Sequence, residues 1–275
     1  MATPKRQFKL SGRISPEDSL HQITKAPELG AAPDEHYIAP KTVPVNITVP
    51  KRETIGVPQY APTVIGGVAA SYNPAGDCHG SYMSYKYQPN NNCYAYGCNI
   101  STNTFPQPGR CSGYLLTAAD FQQPLDALGK LVASYAEKDG LIAVGTSMSD
   151  VQRFKSTRQG THPVGKGDVT SGSLDGHFVA LMVSPSGDDN WPGDYHWARC
   201  DNSSGACNSW SQKDGGDQVT NFDFAGRPIS DPANANWTVN QGPVPQGEPD
   251  AGQDQVVDYA FYCFMFVPST AVNII

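Results

Sequence analysis

The chain has 275 residues, with 19 Lys and Arg against 26 Asp and Glu, for a net charge of -7. Its charged fraction is only 16 %, and 27 Gly and 23 Pro make it rich in turn formers; an average globular chain is about 25 % charged. This length fits one large or two small domains. The acidic balance excludes nucleic acid as the main partner, because phosphate contacts need clustered cations. No membrane span is expected, since no apolar run approaches the roughly 18 residues of a spanning helix.

Residues 1–60 differ from the rest. They carry 8 Lys and Arg against 6 Asp and Glu, and Pro recurs at 4, 16, 27, 33, 40, 44, 50 and 58. Such a stretch buries little and favours extended backbone. It reads as an arm or linker, or as a segment that orders against a carrier or delivery partner; Val43, Val45, Ile47 and Val49 alternate like an edge strand. The basic start is not followed by an apolar stretch, so a standard secretory signal peptide is not expected. The expected address is secreted, injected or virion-associated by another route, or cytoplasmic.

A globular domain is expected over residues 61–275. Thr63 to Ala69 reads as a strand, and residues 71–92 read as loop and turn. Cys93 opens a short helix, with Asn91 or Asn92 as its N-cap. Residues 104–113 read as loop. Pro124 to Lys138 is the clearest helix: Pro124 suits its first position, Leu125, Leu128, Leu131, Val132 and Tyr135 share a face, and Gly140 follows its end. Leu141 to Val144 reads as a buried strand. His177 to Val183 is an apolar run of strand length. Asp194 to Cys200 and Cys207 to Lys213 flank a hairpin turn at residues 201–205. Residues of about 214–254 form a polar, loop-rich excursion, and Val256 to Val267 reads as a strand covered on both faces. The pattern is α+β, loop-rich, with an antiparallel sheet.

Seven cysteines stand at 78, 93, 98, 111, 200, 207 and 263. An odd count fits three disulfides and one reactive thiol, and Cys200 and Cys207 are expected to bridge their turn. The His and Cys spacings match no metal motif, so neither metal nor cofactor is expected.

A thiol becomes a nucleophile when its pKa falls, and a helix N-terminus beside an imidazole lowers it. Cys93 has the first condition. His177, at the rim of its strand, is the candidate base, and His196, on the next strand, the candidate group that orients it. Antiparallel pairing is expected to turn both rings to one face, in a register that a slip of one residue would undo. Gln88 is the first candidate for the second oxyanion donor, with the hydroxyls of Tyr82 and Tyr85 as alternatives. Plainer readings stay open. Cys93 pairs with Cys78, Cys98 or Cys111; His177 is a satisfied strand-end residue; His196 faces solvent. Cys78-His79 is a rival nucleophile site. Asp188-Asp189 has the look of a calcium pair but fits a solvated turn, and Trp191, Trp197, Trp210 and Trp237 suit sugar stacking or core packing.

Asn91-Asn92-Cys93-Tyr94-Ala95-Tyr96, followed by Gly176-His177-Phe178-Val179-Ala180-Leu181, resembles the papain-like cysteine hydrolases, in particular the NlpC-type cell-wall peptidases and the CHAP amidases. The resemblance covers about residues 80–200. It implies a papain-like fold, with the catalytic helix packed on the antiparallel sheet, and cleavage of an amide bond in a peptide or peptidoglycan through a thioester. It also implies His196 as the third residue. Cys93 and His177 are 84 residues apart, farther than in compact cell-wall peptidases, and the helix at 124–138 accounts for the excess as an insertion. The alternative is a non-enzymatic, disulfide-stapled structural or binding component of a virion, secretion system or cell surface. An injected effector enzyme on a delivery arm combines the two.

Overall fold

The computed structural model describes residues 10–13, 90–100, 102, 104–160, 176–187, 191–203, 205–217, 219–244, 246–247, 250–268 and 271–275. The expected arm apart from residues 10–13, the strand from Thr63, the Cys78-His79 pair, Tyr82, Tyr85, Gln88 and the Asp188-Asp189 pair lie outside them.

The architecture is α+β. Three helices are described: α1 (Cys93–Cys98), α2 (Leu125–Lys138) and α3 (Met148–Gly160). The strands are β1 (Ile142–Gly145), β2 (Gly176–Ser184), β3 (Asp194–Cys200), β4 (Trp210–Lys213), β5 (Val219–Thr220), β6 (Thr238–Pro243), β7 (Asp254–Asp258) and β8 (Ala260–Pro268). Six of them make an antiparallel sheet in the order β1-β8-β2-β3-β4-β5, and β6 and β7 form a separate hairpin. The expected run from Val256 to Val267 is therefore two strands, broken at Tyr259, whose N–H donates to the carbonyl of Trp237. The second of them, β8, lies inside the sheet between β1 and β2.

Successive side chains of a strand alternate between faces, and this divides the core in two. Val179, Leu181, Val183, Tyr195, Trp197, Met265 and Val267 pack with Cys93 and Tyr94 of α1 and Leu128 and Val132 of α2. Phe178, Ala180, Met182, Ala198, Cys200, Phe264 and Phe266 pack on the other face, with Val151 and Phe154 of α3, and Trp237 and Phe224 from the excursion. All four tryptophans are buried, so they serve packing.

The helix ends follow local chemistry. Asn92 caps α1, its side chain accepting from the Ala95 N–H at 3.0 Å. Pro124 takes the position before α2, with Asp126 in the first turn and Lys138 in the last, the signs that the helix dipole favours. The helix α3 is too polar to show an apolar stripe, but Ser147 and Asp150 cap its start reciprocally. The Asp150 N–H donates to Ser147 Oγ at 3.2 Å, and the Asp150 carboxylate accepts the Ser147 N–H at 3.1 Å.

The expected set of disulfides is not formed among the described residues, where no two of Cys93, Cys98, Cys111, Cys200, Cys207 and Cys263 are bonded to each other. Cys93 and Cys263 are separately enclosed by core side chains. In their turn, the Cys200 thiol donates to Asn202 Oδ1 at 3.6 Å and the Cys207 thiol to the Ser203 carbonyl at 3.5 Å.

Burial raises Asp201 to about 7, against the pull of Arg199 and of the Ser211 hydroxyl, which donates to it at 2.6 Å. A folded value above the unfolded one of about 3.9 means that stability is fully present below pH 4 and lost as pH rises through 7. Asp201→Asn keeps the acceptor and removes the titration. The thermal midpoint of this variant, relative to wild type, is expected to climb steadily from pH 4 to pH 8. A difference that stays constant across this range contradicts the assignment.

Candidate functional site

The site forms where α1 meets the start of β3. The strand β4 pairs with β3 only along Ala198 to Cys200, which leaves the 195–197 edge to the helix. Cys93, the first residue of α1, fills it. Its thiol donates to the Tyr195 carbonyl oxygen, with Sγ 3.8 Å from it. The buried Lys213 ties the approach to α1 onto β4, donating to the carbonyls of Asn91 at 2.6 Å and Gly215 at 2.8 Å.

His196 projects from β3 to the sheet face opposite Tyr195 and Trp197. Its Nε2 is 2.6 Å from Gln212 Oε1. The Gln212 amide is oriented because its Nε2 donates to the Phe222 carbonyl at 2.8 Å, so its oxygen must face the ring. An amide oxygen only accepts, hence the His196 proton sits on Nε2 and Nδ1 is the acceptor. Phe224, Trp237 and Tyr259 surround the imidazole, with ring centroids 5.5 to 5.8 Å away. Asp223 positions two of these, accepting from the Asn236 N–H at 2.9 Å and pairing with Arg227 at 3.0 Å.

Residues 10–13 complete the site. The Ser11 hydroxyl hydrogen-bonds His196 Nδ1. The carbonyl of Ser11 accepts the Cys93 N–H at 3.4 Å. Asp194 accepts the backbone N–H groups of Ser11 at 2.5 Å, Gly12 at 3.1 Å and Arg13 at 2.9 Å, and the Tyr259 hydroxyl at 3.0 Å. Burial raises Asp194 to about 6, against the lowering effect of those N–H donors and of Arg13. Burial also pushes the Cys93 thiol well above its ordinary value; Asp194 adds to the push, and the polar surroundings at Ser11 and the Trp197 backbone oppose it. With residues 10–13 in place the sulfur is fully buried and held as the thiol.

The expected trio of Cys93, His177 and His196 is not brought together. His196 stands opposite Met182 in the β2–β3 ladder. Met182 is an odd number of residues from His177, so the two rings point to opposite faces. His177 lies on the α1 face, at the far end of that helix, with its Nε2 2.7 Å from the Gly97 carbonyl oxygen. His196 meets Ser11 rather than His177 and is buried rather than solvent-facing. Ser11 and Gln212 were not anticipated from sequence. The signal for Gln212 was parity: it pairs with Ala198, two residues from His196, and so shares its face. Nothing local marks Ser11, which arrives from far upstream.

No family model matches the chain, and no solved structure matches it. The chain is similar to insoluble matrix shell protein 1 of Ruditapes philippinarum, with 33 % identity over 157 residues, which make up 57 % of this chain and 74 % of that protein. It belongs to the same family as that shell matrix protein.

Proposed function

We propose that this protein is a cysteine-dependent hydrolase of peptide amides, papain-like in arrangement, with Cys93 as nucleophile, His196 as base and Gln212 as the group that orients the base. The observation that carries the reading is that Ser11 meets both residues, its hydroxyl bonded to His196 Nδ1 and its carbonyl accepting the Cys93 N–H at 3.4 Å, with Gln212 on the opposite ring nitrogen. In this reading, withdrawal of that hydroxyl leaves Nδ1 to accept the Cys93 proton.

In this mechanism the Cys93 thiol gives its proton to His196 Nδ1, and the sulfur bonds to the substrate carbonyl carbon. The oxyanion takes up the Cys93 backbone N–H, which the Ser11 carbonyl occupies in the closed state. The imidazolium, held at Nε2 by Gln212, returns its proton to the leaving nitrogen as the C–N bond breaks. Water then opens the thioester, giving a proton to His196 and releasing the carboxylic acid, and Cys93 is regenerated as the thiol.

The test is hydrolysis of a peptide-amide library, with peptidoglycan peptides as one arm, by the full chain and by the full chain carrying Gly12→Val. A Cβ at Gly12 would lie 2.2 Å from the Tyr195 ring, so this substitution expels the covering segment. Amide cleavage is expected, with Gln212→Ala slowing it by about 10- to 100-fold through loss of ring orientation. Absence of cleavage of any amide by the folded Gly12→Val protein would overturn the reading.

A second reading is a non-catalytic component of an extracellular matrix. The name of the shell matrix relative and the enclosure of the Cys93 thiol favour it. Both readings propose an extracellular address, and the same assay separates them.

A further inference from the structure

Residues 10–13 lie in a set of contacts that are selective for each position. Leu10 is buried with the aromatic core of the β4 side, and its carbonyl lies 2.5 Å from where a Cβ would stand on Gly215, which has φ +50°. Ser11 bonds His196 Nδ1 through its hydroxyl, and its carbonyl accepts the Cys93 N–H at 3.4 Å. Gly12 passes Tyr195 so closely that a Cβ would fall 2.2 Å and 2.4 Å from ring carbons and 2.6 Å from the carbonyl oxygen. Two of those three atoms are in a buried ring and one is backbone, so no side chain fits. The Gly12 carbonyl is met by Asn92 Nδ2 at 2.7 Å, Gln107 Nε2 at 2.8 Å and the Tyr195 hydroxyl at 3.0 Å. The Arg13 guanidinium donates to the carbonyls of Pro192 at 2.5 Å and Gly193 at 2.6 Å, and lies 3.9 Å above the Phe121 ring. Asp194 binds the three successive N–H groups of Ser11, Gly12 and Arg13 from a fully buried position.

Main-chain groups held on both edges, one position that admits only glycine and one that recognises a guanidinium are the features of a peptide-binding cleft. We propose that the cleft beside Cys93 is a peptide site selective for a Gly-Arg pair, and that residues 10–13 are its resident ligand, occupying the place of a substrate and masking the thiol. The masking half deepens the hydrolase reading and rests on it; the binding half stands on the contacts alone. Turnover then requires the segment to leave, and the peptides accepted in its place carry glycine followed by arginine.

The test is alkylation of Cys93 by iodoacetamide in the native full chain, read by peptide mapping so that the exposed Cys111 is scored separately. Wild-type Cys93 is expected to react slowly. Gly12→Val, with its melting transition retained, is expected to react at least about tenfold faster, because labelling follows the population of the open state. The free peptide Leu-Ser-Gly-Arg, acetylated and amidated, is expected to restore protection to that variant, and Leu-Ser-Ala-Arg is not. Should Gly12→Val fail to fold, Arg13→Ala removes the contacts to Phe121, Pro192 and Gly193 and must show the same gain and the same rescue. Equal labelling rates in wild type and variant, or equal protection by the two peptides, would overturn the proposal. Protection without any amide cleavage would sink the hydrolase reading and leave the peptide site standing. Cleavage without selective protection would do the reverse.

Discussion

In the Gly12→Val background, Cys93→Ala is expected to reduce amide hydrolysis to the uncatalysed background, a loss of at least about 10⁴-fold. The sulfur is the atom that forms the thioester, and no neighbouring group replaces it. The Ser11 hydroxyl belongs to the segment that must leave. His196→Ala is expected to cost a similar factor, and the double variant no more than either single one, because nucleophile and base act as a unit. His177→Ala supplies the contrast. Its ring bonds the Gly97 carbonyl at the other end of α1, so the rate is expected to stay within about threefold of the parent while stability falls by about 1 to 3 kcal/mol, from the acceptor left unpaired. Rates measured at saturating peptide, with melting curves for each variant, check the set. Loss of activity in His177→Ala without loss of stability would return the base to that residue.

The largest effect on the fold is expected at Trp197. Its side chain is fully buried, it packs against Tyr94 with ring centroids 5.2 Å apart, and its Cβ is 3.2 Å from where a Cβ on Gly97 would stand. It is therefore the contact through which α1 is pressed onto β3. Trp197→Ala removes the largest side chain under the helix and is expected to cost about 3 to 5 kcal/mol, a large share of the 5 to 15 kcal/mol typical of a native domain. Because Cys93 sits on the same helix, its alkylation should accelerate with the loss. A urea titration showing less than about 1.5 kcal/mol would mean that the helix is held elsewhere, since a cavity of that size is costly wherever the surroundings relax only in part.

Much of the fold was legible because the periodicities were strong. The stripe of Leu125, Leu128 and Val132 marked α2, the apolar run from His177 marked β2, and the polar turn at 201–205 marked the β3–β4 hairpin. The helix α3 carries no apolar stripe, and its start is marked in the sequence by the Ser147-x-x-Asp150 cap. The strands β7 and β8 read as one run because the break at Tyr259 is made by a contact with Trp237, distant in sequence.

The site was legible in its parts and not in its assembly. Cys93 at the start of α1 and His196 on β3 were both candidates, since residue type and local element suffice to mark them. The role given to His177 depended on which face each ring takes. Face follows from ladder register, and the Met182 to His196 pairing depends on the loop between the strands rather than on either strand alone. Ser11 was beyond reach for another reason: its partners Cys93, Asp194 and His196 lie on elements whose proximity only the tertiary fold creates.

The most direct measurement of the central claim is trapping of the acyl intermediate. The full chain carrying Gly12→Val is mixed with a p-nitrophenyl ester of an acylated Ser residue, quenched in acid and mapped by mass spectrometry. The account predicts one added acyl group, on the peptide containing Cys93, absent when His196 is replaced by Ala. An unmodified Cys93 peptide in a protein that remains folded, or an acyl group found only on another side chain, would contradict it.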